Sequence, residues 1–223
     1  CRLGIRTVGP HVAALQELSI SILVEKNHYK VTQKKIKKDR TIILYESGDT
    51  VTENAIMAAS RIPGKTIIKC ASANYQVQEL CFFLERLGVR IDGIGTTTLT
   101  VHGKKSINKK VTYHLSEDPT DTMFFLSAAI VTKSSITIKR CPIEFLELEL
   151  LTLSQMGYHY TKSKPYLARN KRTKLVDIKT KPSVLHAPPE KIHPRPYPGL
   201  NIDILPFFSI IATQAKGKTL IHD

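Results

Sequence analysis

The residues best equipped for chemistry stand near the two ends of this sequence. It opens "CRLGIRTVGPH", where Cys1, two arginines and His11 share a short stretch with two glycines and a proline. A thiol becomes a nucleophile or a proton donor of useful strength when nearby cations bias it toward thiolate, and Arg2 and Arg6 supply that bias. The glycines and proline make the stretch a loop, and a loop over a reaction centre can close and exclude water. His11 reads either as a group that titrates near neutrality or as an ordinary helix-start residue. Toward the other end, "RPYPGLNIDILPFF" carries Asp203, a carboxylate that could serve as a general base or cap the apolar helix behind it. Between them, "ESGDTVTENAIMAAS" reads as a turn opening a helix, with Thr52 as its N-cap and Glu53 and Asn54 in its first turn. The free amides of such a helix start favour an anion.

The other cysteines look inert. Cys81 in "QELCFFLERLG" and Cys141 in "TIKRCPIEF" read as small core hydrophobes, and none of the 4 cysteines forms a CxxC pair. Metal and disulfide frameworks are therefore poorly supported, and reduced thiols of a cytosolic protein are the expectation. The net charge of +14 fits nucleic acid, an acidic membrane surface or small anionic substrates. Much of it lies in "KVTQKKIKKDR", "HGKKSINKK" and "TKSKPYLARNKRTK", which read as hairpin turns and edge strands that lysine keeps solvated. Stacking aromatics are sparse among those lysines, which weighs against nucleic acid. No apolar run approaches the roughly 18 residues of a membrane span.

The elements that must position these residues repeat. A helix rich in small residues recurs as "TENAIMAASRI", "DTMFFLSAAIV" and "LPFFSIIATQA", each followed by a turn and a strand: "PGKTIIKCA", "KSSITIKRC" and "KGKTLIHD". A second helix follows, "YQVQELCFFLERLG" and "IEFLELELLTLSQMG", ending on Gly88 and Gly157, and then a strand hairpin. Gly88 and Gly157 are about 69 residues apart, and Ser19 stands about 69 before Gly88. The pattern predicts stacked β-α-β-α-β-β units. "DTMFFLSAAIV" has almost no polar face and is expected to be buried on all sides.

With the motifs set on this repeat, the sequence resembles the enolpyruvyl transferases, and within them the branch whose acceptor is UDP-N-acetylglucosamine. The loop pattern C-x-x-G-x-R-P followed by His is met by Cys1, Gly4, Arg6 and His11. "TENAIMAASRIPGKTIIKCASANYQVQELCFFLERLGVRIDGIGTTTLTVHG" resembles the family's T-E-N-x-x-M-A-A helix and its L-G-A-x-I-x-G-x-G-T run. "RPYPGLNIDILPFF" resembles its A-P-Y-P-G-F-P-T-D-x-Q, with Asp203 on the aspartate.

The resemblance implies an α/β (α+β) fold of βαβαββ units closing into an inside-out α/β barrel, helices within and sheets outside. Two domains are implied, each partly present: 1–115 as the later part of the loop-bearing domain and 116–223 as the first part of the second. It implies transfer of the enolpyruvyl group of phosphoenolpyruvate to the 3-hydroxyl of UDP-N-acetylglucosamine, the committing step toward peptidoglycan, in the cytoplasm. Cys1 would be the proton donor of a mobile lid and Asp203 the carboxylate at the acceptor hydroxyl. Arg6, Thr7, Val8, Gly9, Pro10 and His11 would line the sugar nucleotide, with Ser47, Gly48 and Asp49 at its diphosphate and Asp203 at the sugar. The chemistry requires no metal or organic cofactor.

The family's amino-terminal Lys-Asn pair would precede residue 1, and its later phosphate-binding arginines would follow residue 223, so the resemblance implies a fragment, inactive alone. Thr7 replaces a family proline, Glu46 and Asp49 bring carboxylates to the diphosphate region, and Asn201-Ile202 replaces Pro-Thr, all of which point to a divergent branch. The alternatives are another acceptor, such as shikimate 3-phosphate, against which the cysteine loop argues, and a non-catalytic basic repeat protein that binds nucleic acid. The sequence does not speak to oligomeric state.

Overall fold

The computed structural model describes residues 7–35 and 39–222. The chain divides into two compact units, Cys1–Tyr113 and His114–Asp223.

In the first unit, helix α1 (Gly9–Glu17) leads into an antiparallel hairpin of β1 (Ile20–Val24) and β2 (Tyr29–Gln33). A complete repeat follows: β3 (Arg40–Ile43), α2 (Asp49–Ser60), β4 (Gly64–Lys69), α3 (Tyr75–Arg86), β5 (Arg90–Asp92) and β6 (Thr98–Gly103). The sheet order is β3-β4-β6-β5. β3 and β4 run parallel because α2 carries the chain back between them, and the remaining pairs are antiparallel. Along β4 and β6, Thr66, Ile68, Leu99 and Val101 are buried while Lys65, Lys69 and Thr98 are exposed, the alternation of a sheet with one face covered. Ala55, Ile56 and Ala59 of α2 and Val77, Cys81 and Leu84 of α3 join those strand residues in one core.

The small residues of α2 let β6 come close. A Cβ on Gly103 would lie 2.0 Å from the Ile62 carbonyl oxygen and 2.2 Å from that of Ala59, so only glycine fits. The next residue fastens the approach, Lys104 N–H donating to Ser60 O at 2.9 Å.

The second unit repeats the plan. α4 (Pro119–Val131), β7 (Thr137–Pro142), a 3₁₀ turn (Ile143–Phe145), α5 (Glu147–Gln155), β8 (His159–Lys162), β9 (Tyr166–Leu167) and β10 (Lys174–Lys181) form a sheet ordered β7-β10-β8, with β9 beside β10. That order matches β4-β6-β5. A further β-α-β then starts: β11 (Leu185–His186), a 3₁₀ turn (Ile202–Ile204), α6 (Leu205–Ala212) and β12 (Ala215–Lys216), with β11 and β12 parallel.

The backbone keeps the same punctuation in each copy. Ser19, Gly88 and Gly157, the residues expected to close α1, α3 and α5, have φ of 65°, 91° and 89°. After α3, Gly88 N–H bonds Glu85 O and Val89 N–H bonds Leu84 O; after α5, Gly157 N–H bonds Ser154 O and Tyr158 N–H bonds Leu153 O. This paired closure satisfies the last carbonyls of both helices.

Two expectations are corrected. α4 is not buried all round: Phe124, Phe125 and Val131 are exposed, because among the described residues α6 with the 3₁₀ turn before it and β7 leave part of its surface uncovered. The strand expected over "KGKTLIHD" shrinks to Ala215–Lys216 plus a bridge between Ile221 and Ile192, since β11 offers just two residues to pair with.

Candidate functional site

The turn before α2 holds Ser47, Gly48 and Asp49. Gly48 is the N-cap residue and the helix begins at Asp49, so Thr52 is not the cap. Its hydroxyl instead donates back to Gly48 O (2.8 Å) and accepts from the Ser72 amide (2.9 Å), fully buried inside the first turn. A hydroxyl satisfied in both directions is stable there and leaves the extended Gly48 to start the helix. Asp49 turns toward the β4–α3 loop, where its carboxylate accepts from Ser72 Oγ and from Asn74 Nδ2 (2.9 Å). Asn74 caps α3, its Oδ1 accepting from Tyr75 N–H at 2.9 Å. The Asp49 charge is thus held by two donors of its own unit, which answers how a carboxylate can stand in this turn. Burial, and then the Asp49 charge, raises the Glu53 carboxyl above its ordinary range.

The opening stretch comes to the same place. Cys1 and Arg6 lie outside the described residues. Thr7 and Val8 are exposed, and Thr7 Oγ1 accepts from Gly9 N–H at 3.1 Å. Gly9, Pro10 and His11 form the first turn of α1, with proline near its start where a missing N–H costs nothing. Asn54 Nδ2 donates to His11 Nδ1 at 2.7 Å, which leaves the ring proton to Nε2. Pro10, Ala13 and Glu17 of α1 face Tyr45, Glu46 and Val51 across a cavity of about 140 Å³. The two stretches expected to line a sugar nucleotide are therefore neighbours. Sequence reasoning passed over Tyr45 and set Asn54 aside as a first-turn residue; an amide at the sixth residue of a helix carries no signal until its partner is known.

Asp203 belongs to the second unit, on the 3₁₀ turn that opens α6. Asn201 caps that turn, its Oδ1 accepting from Asp203 N–H at 2.9 Å. Leu200, Ile204 and Leu205 anchor the turn in the core, while the Asp203 side chain is exposed and has no hydrogen-bond or ion-pair partner among the described residues. Nearby, the sequence hid a second carboxylate. Glu149 of α5 is 4% exposed, and burial pushes its carboxyl up to about 7 against the pull of two backbone amides, its own and that of Asn201. The one available signal was an acid at a buried position of "LELELL". Among the described residues no group of three or more His, Cys, Asp or Glu could hold a metal ion, and no helix is long and apolar enough to cross a membrane.

Known proteins resemble the chain along its whole length. It is 31% identical over 224 residues to the UDP-N-acetylglucosamine 1-carboxyvinyltransferase of Treponema denticola, covering 99% of this chain and 50% of that protein. It is 29% identical to the enzyme of the same name from Aeromonas hydrophila, covering 100% and 50%. The chain spans about half the length of the curated relatives it matches. Among solved structures, the enolpyruvyl transferase NikO from Streptomyces tendae superposes with a TM-score of 0.80 at 16% identity, covering 98% of this chain and 52% of that one. EPSP synthase from Acinetobacter baumannii follows at 0.72 and 20%, covering 97% and 48%. At such identities the likeness shows the fold: mixed helix and sheet on the enolpyruvyl transferase plan. The family profile matches residues 1–222, and the chain belongs to the EPSP synthase (3-phosphoshikimate 1-carboxyvinyltransferase) family.

Proposed function

We propose that this chain supplies part of the machinery for moving the enolpyruvyl group of phosphoenolpyruvate onto the 3-hydroxyl of UDP-N-acetylglucosamine. The observation that carries the reading is the whole-length likeness to relatives named for that transfer. Asp203, exposed on a capped turn and unpaired among the described residues, suits a base that must reach a substrate hydroxyl.

In this reading Asp203 takes the proton of the acceptor hydroxyl as its oxygen attacks C2 of phosphoenolpyruvate. Cys1 delivers a proton to the methylene carbon, which becomes a methyl group on a tetrahedral adduct. Elimination then breaks the C2–O bond to phosphate, the methyl group gives back a proton, and the enol ether forms. Arg6 to His11 line the sugar nucleotide, and Ser47 to Asp49 stand at its diphosphate. Asp49 would take part through its backbone amide at the start of α2, its carboxylate being held by Ser72 and Asn74. The reaction belongs to the cytoplasm, where peptidoglycan precursors are begun.

Phosphate release by the full-length protein from phosphoenolpyruvate, with UDP-N-acetylglucosamine or shikimate 3-phosphate as acceptor, tests the reading. Turnover with the sugar nucleotide alone supports it; turnover with shikimate 3-phosphate alone moves the chain to the other branch. A second arm is labelling of Cys1 by an epoxide analogue of phosphoenolpyruvate, which UDP-N-acetylglucosamine should accelerate. Labelling indifferent to the sugar nucleotide would count against Cys1 as the lid thiol.

A further inference from the structure

The sheets of the two units carry different charge at equivalent places. Ile68 of β4 and Ile138 of β7 each stand two residues before a left-handed residue, Cys70 (φ 58°) and Arg140 (φ 64°). Ile68 pairs with Leu99 and Ile138 with Ile178, and all four are buried, so Thr100 and His102 of β6 answer to Lys179 and Lys181 of β10. The neighbouring strand agrees: Asp92 and Arg90 lie opposite Thr100 and His102, as Thr161 and His159 lie opposite Lys179 and Lys181. In the first unit the patch neutralises itself, the Asp92 carboxylate accepting from Arg90 Nε (3.0 Å) and from His102 Nε2 (2.8 Å). In the second unit threonine replaces the acid, and Lys179 and Lys181 are exposed with no ion pair among the described residues. Edge protection does not account for them, because β10 is the central strand of its sheet.

The approach to β10 adds to this charge. The first unit passes from β5 to β6 through the uncharged residues 93–97, whereas the second passes from β8 to β10 through 163–173, which carry Lys164, Arg169, Lys171 and Arg172. The backbone there is fixed: Ala168 N–H bonds Thr173 O (2.9 Å), and Asn170 Oδ1 accepts from the amides of Arg172 (2.9 Å) and Thr173 (3.1 Å). The chain that carries these cations is thus set before a partner arrives, which lowers the ordering cost of binding. The acids nearby are already engaged. Asp177 accepts from Tyr166 Oη (2.5 Å) and from the Arg140 amide (3.0 Å), Glu117 pairs with Arg140, and Glu144 pairs with Lys174 (3.1 Å).

We propose that this face of the β7-β10-β8 sheet, with the hairpin that leads into β10, docks on an anionic lipid surface. Charge complementarity is the ground: uncompensated lysines on a sheet face and a preformed basic hairpin match a layer of anionic headgroups. Leu167 of β9, 60% exposed between Lys164 and Arg169, supplies an apolar side chain that the headgroup layer can bury. Nucleic acid fits less well, since binding it draws on stacking aromatics, and Tyr166, the one aromatic of 163–173, is bound to Asp177. The inference concerns docking alone and holds whichever acceptor the reaction uses.

Co-sedimentation of the full-length protein with lipid vesicles tests the proposal. Vesicles of phosphatidylglycerol and phosphatidylcholine in equal parts should take up the protein, and vesicles of phosphatidylcholine alone should not. Uptake should fall at least about tenfold between about 50 and 300 mM salt. Lys171→Glu, Lys179→Glu and Lys181→Glu together should lower the partition about a hundredfold, and Leu167→Asp, which keeps every cation, about fivefold. The control makes the same charge change on the basic hairpin of the first unit, where Lys26, Lys30 and Lys34 are exposed. Replacing those three by Glu should lower the partition less than about threefold. Equal losses in the two triple variants would reduce the binding to net charge and overturn the proposal, as would failure to sediment with the anionic vesicles. A 20-nucleotide RNA probe bound through Lys171, Lys179 and Lys181, with the vesicles ignored, would assign the face to nucleic acid and overturn it equally. Should the triple variant fail to fold, Lys179→Gln with Lys181→Gln, at exposed positions of β10, replaces it with an expected loss of about tenfold.

Discussion

The two repeats share strand order and helix closures, yet they place a carboxylate of the interior differently. In the first unit a half-buried carboxylate stands at the start of the first helix of the repeat, where Asp49, Thr52, Ser72 and Asn74 tie α2 to the β4–α3 loop. In the second unit that place holds a helix cap, Asp118 accepting from Thr120 N–H at 2.8 Å, and a fully buried acid, Glu149, stands in the second helix. The scaffold tolerates either arrangement. What differs is where the carboxylate stands: beside the turn bearing Ser47 to Gly48 in one unit, and inside the second helix in the other.

The largest effect should come from Asp203, on the turn that opens α6 of the second unit. Asp203→Asn is expected to lower kcat of the full-length enzyme by about a hundred- to ten-thousandfold, with the melting temperature unchanged, since the side chain is exposed. A loss of cooperative unfolding in that variant would mean that Asp203 is structural. Next is pH. The Glu149 carboxyl titrates at about 7 in the folded chain against an ordinary 4.5, so its stabilising contribution is complete below about 4.5 and is lost as pH rises through about 7. Glu149→Leu should remove that slope and leave the chain more stable by up to about 3 kcal/mol on the alkaline side, measured by urea unfolding. A slope that survives the substitution would detach Glu149 from it.

The smaller effects separate the knot from the cap. Asp49→Ala strips Ser72 and Asn74 of their acceptor and should cost about 1–3 kcal/mol. Asp118→Ala loses a helix cap and should cost about 1 kcal/mol. Equal costs in the two units would erase the contrast. Smallest is Ser19→Gly, expected to stabilise by about 1 kcal/mol or less, because Ser19 holds a left-handed φ of 65° that glycine adopts freely.

The repeat was legible because its signals are local: small-residue helices, β-branched strands, and Gly88 and Gly157 at helix ends. Even Ser19, which carries no glycine to announce it, was found by spacing. The site was less legible, and for one reason throughout. Thr52 looks like a cap until Ser72, 20 residues on, is seen donating to it. His11 was ambiguous until Asn54 came beside it. Glu149 sits among leucines in "LELELL", and its burial depends on core residues as far away as Phe208. Each of these roles is set by a contact distant in sequence, which no local pattern records. The exposed face of α4 was misread for a related reason: residue types report how apolar a helix is, while the number of neighbours that arrive is a property of the assembled fold.

α2 is held like a structural member. It is a beam of twelve residues fixed at both ends, by the Asp49 network at its start and by the glycine-only seat of Gly103 against its last turn. A beam with both ends built in can neither tilt nor slide without breaking one support. Asn54 stands on its span and grips His11, so the first turn of α1 takes its bearing from the stiffest part of the first unit.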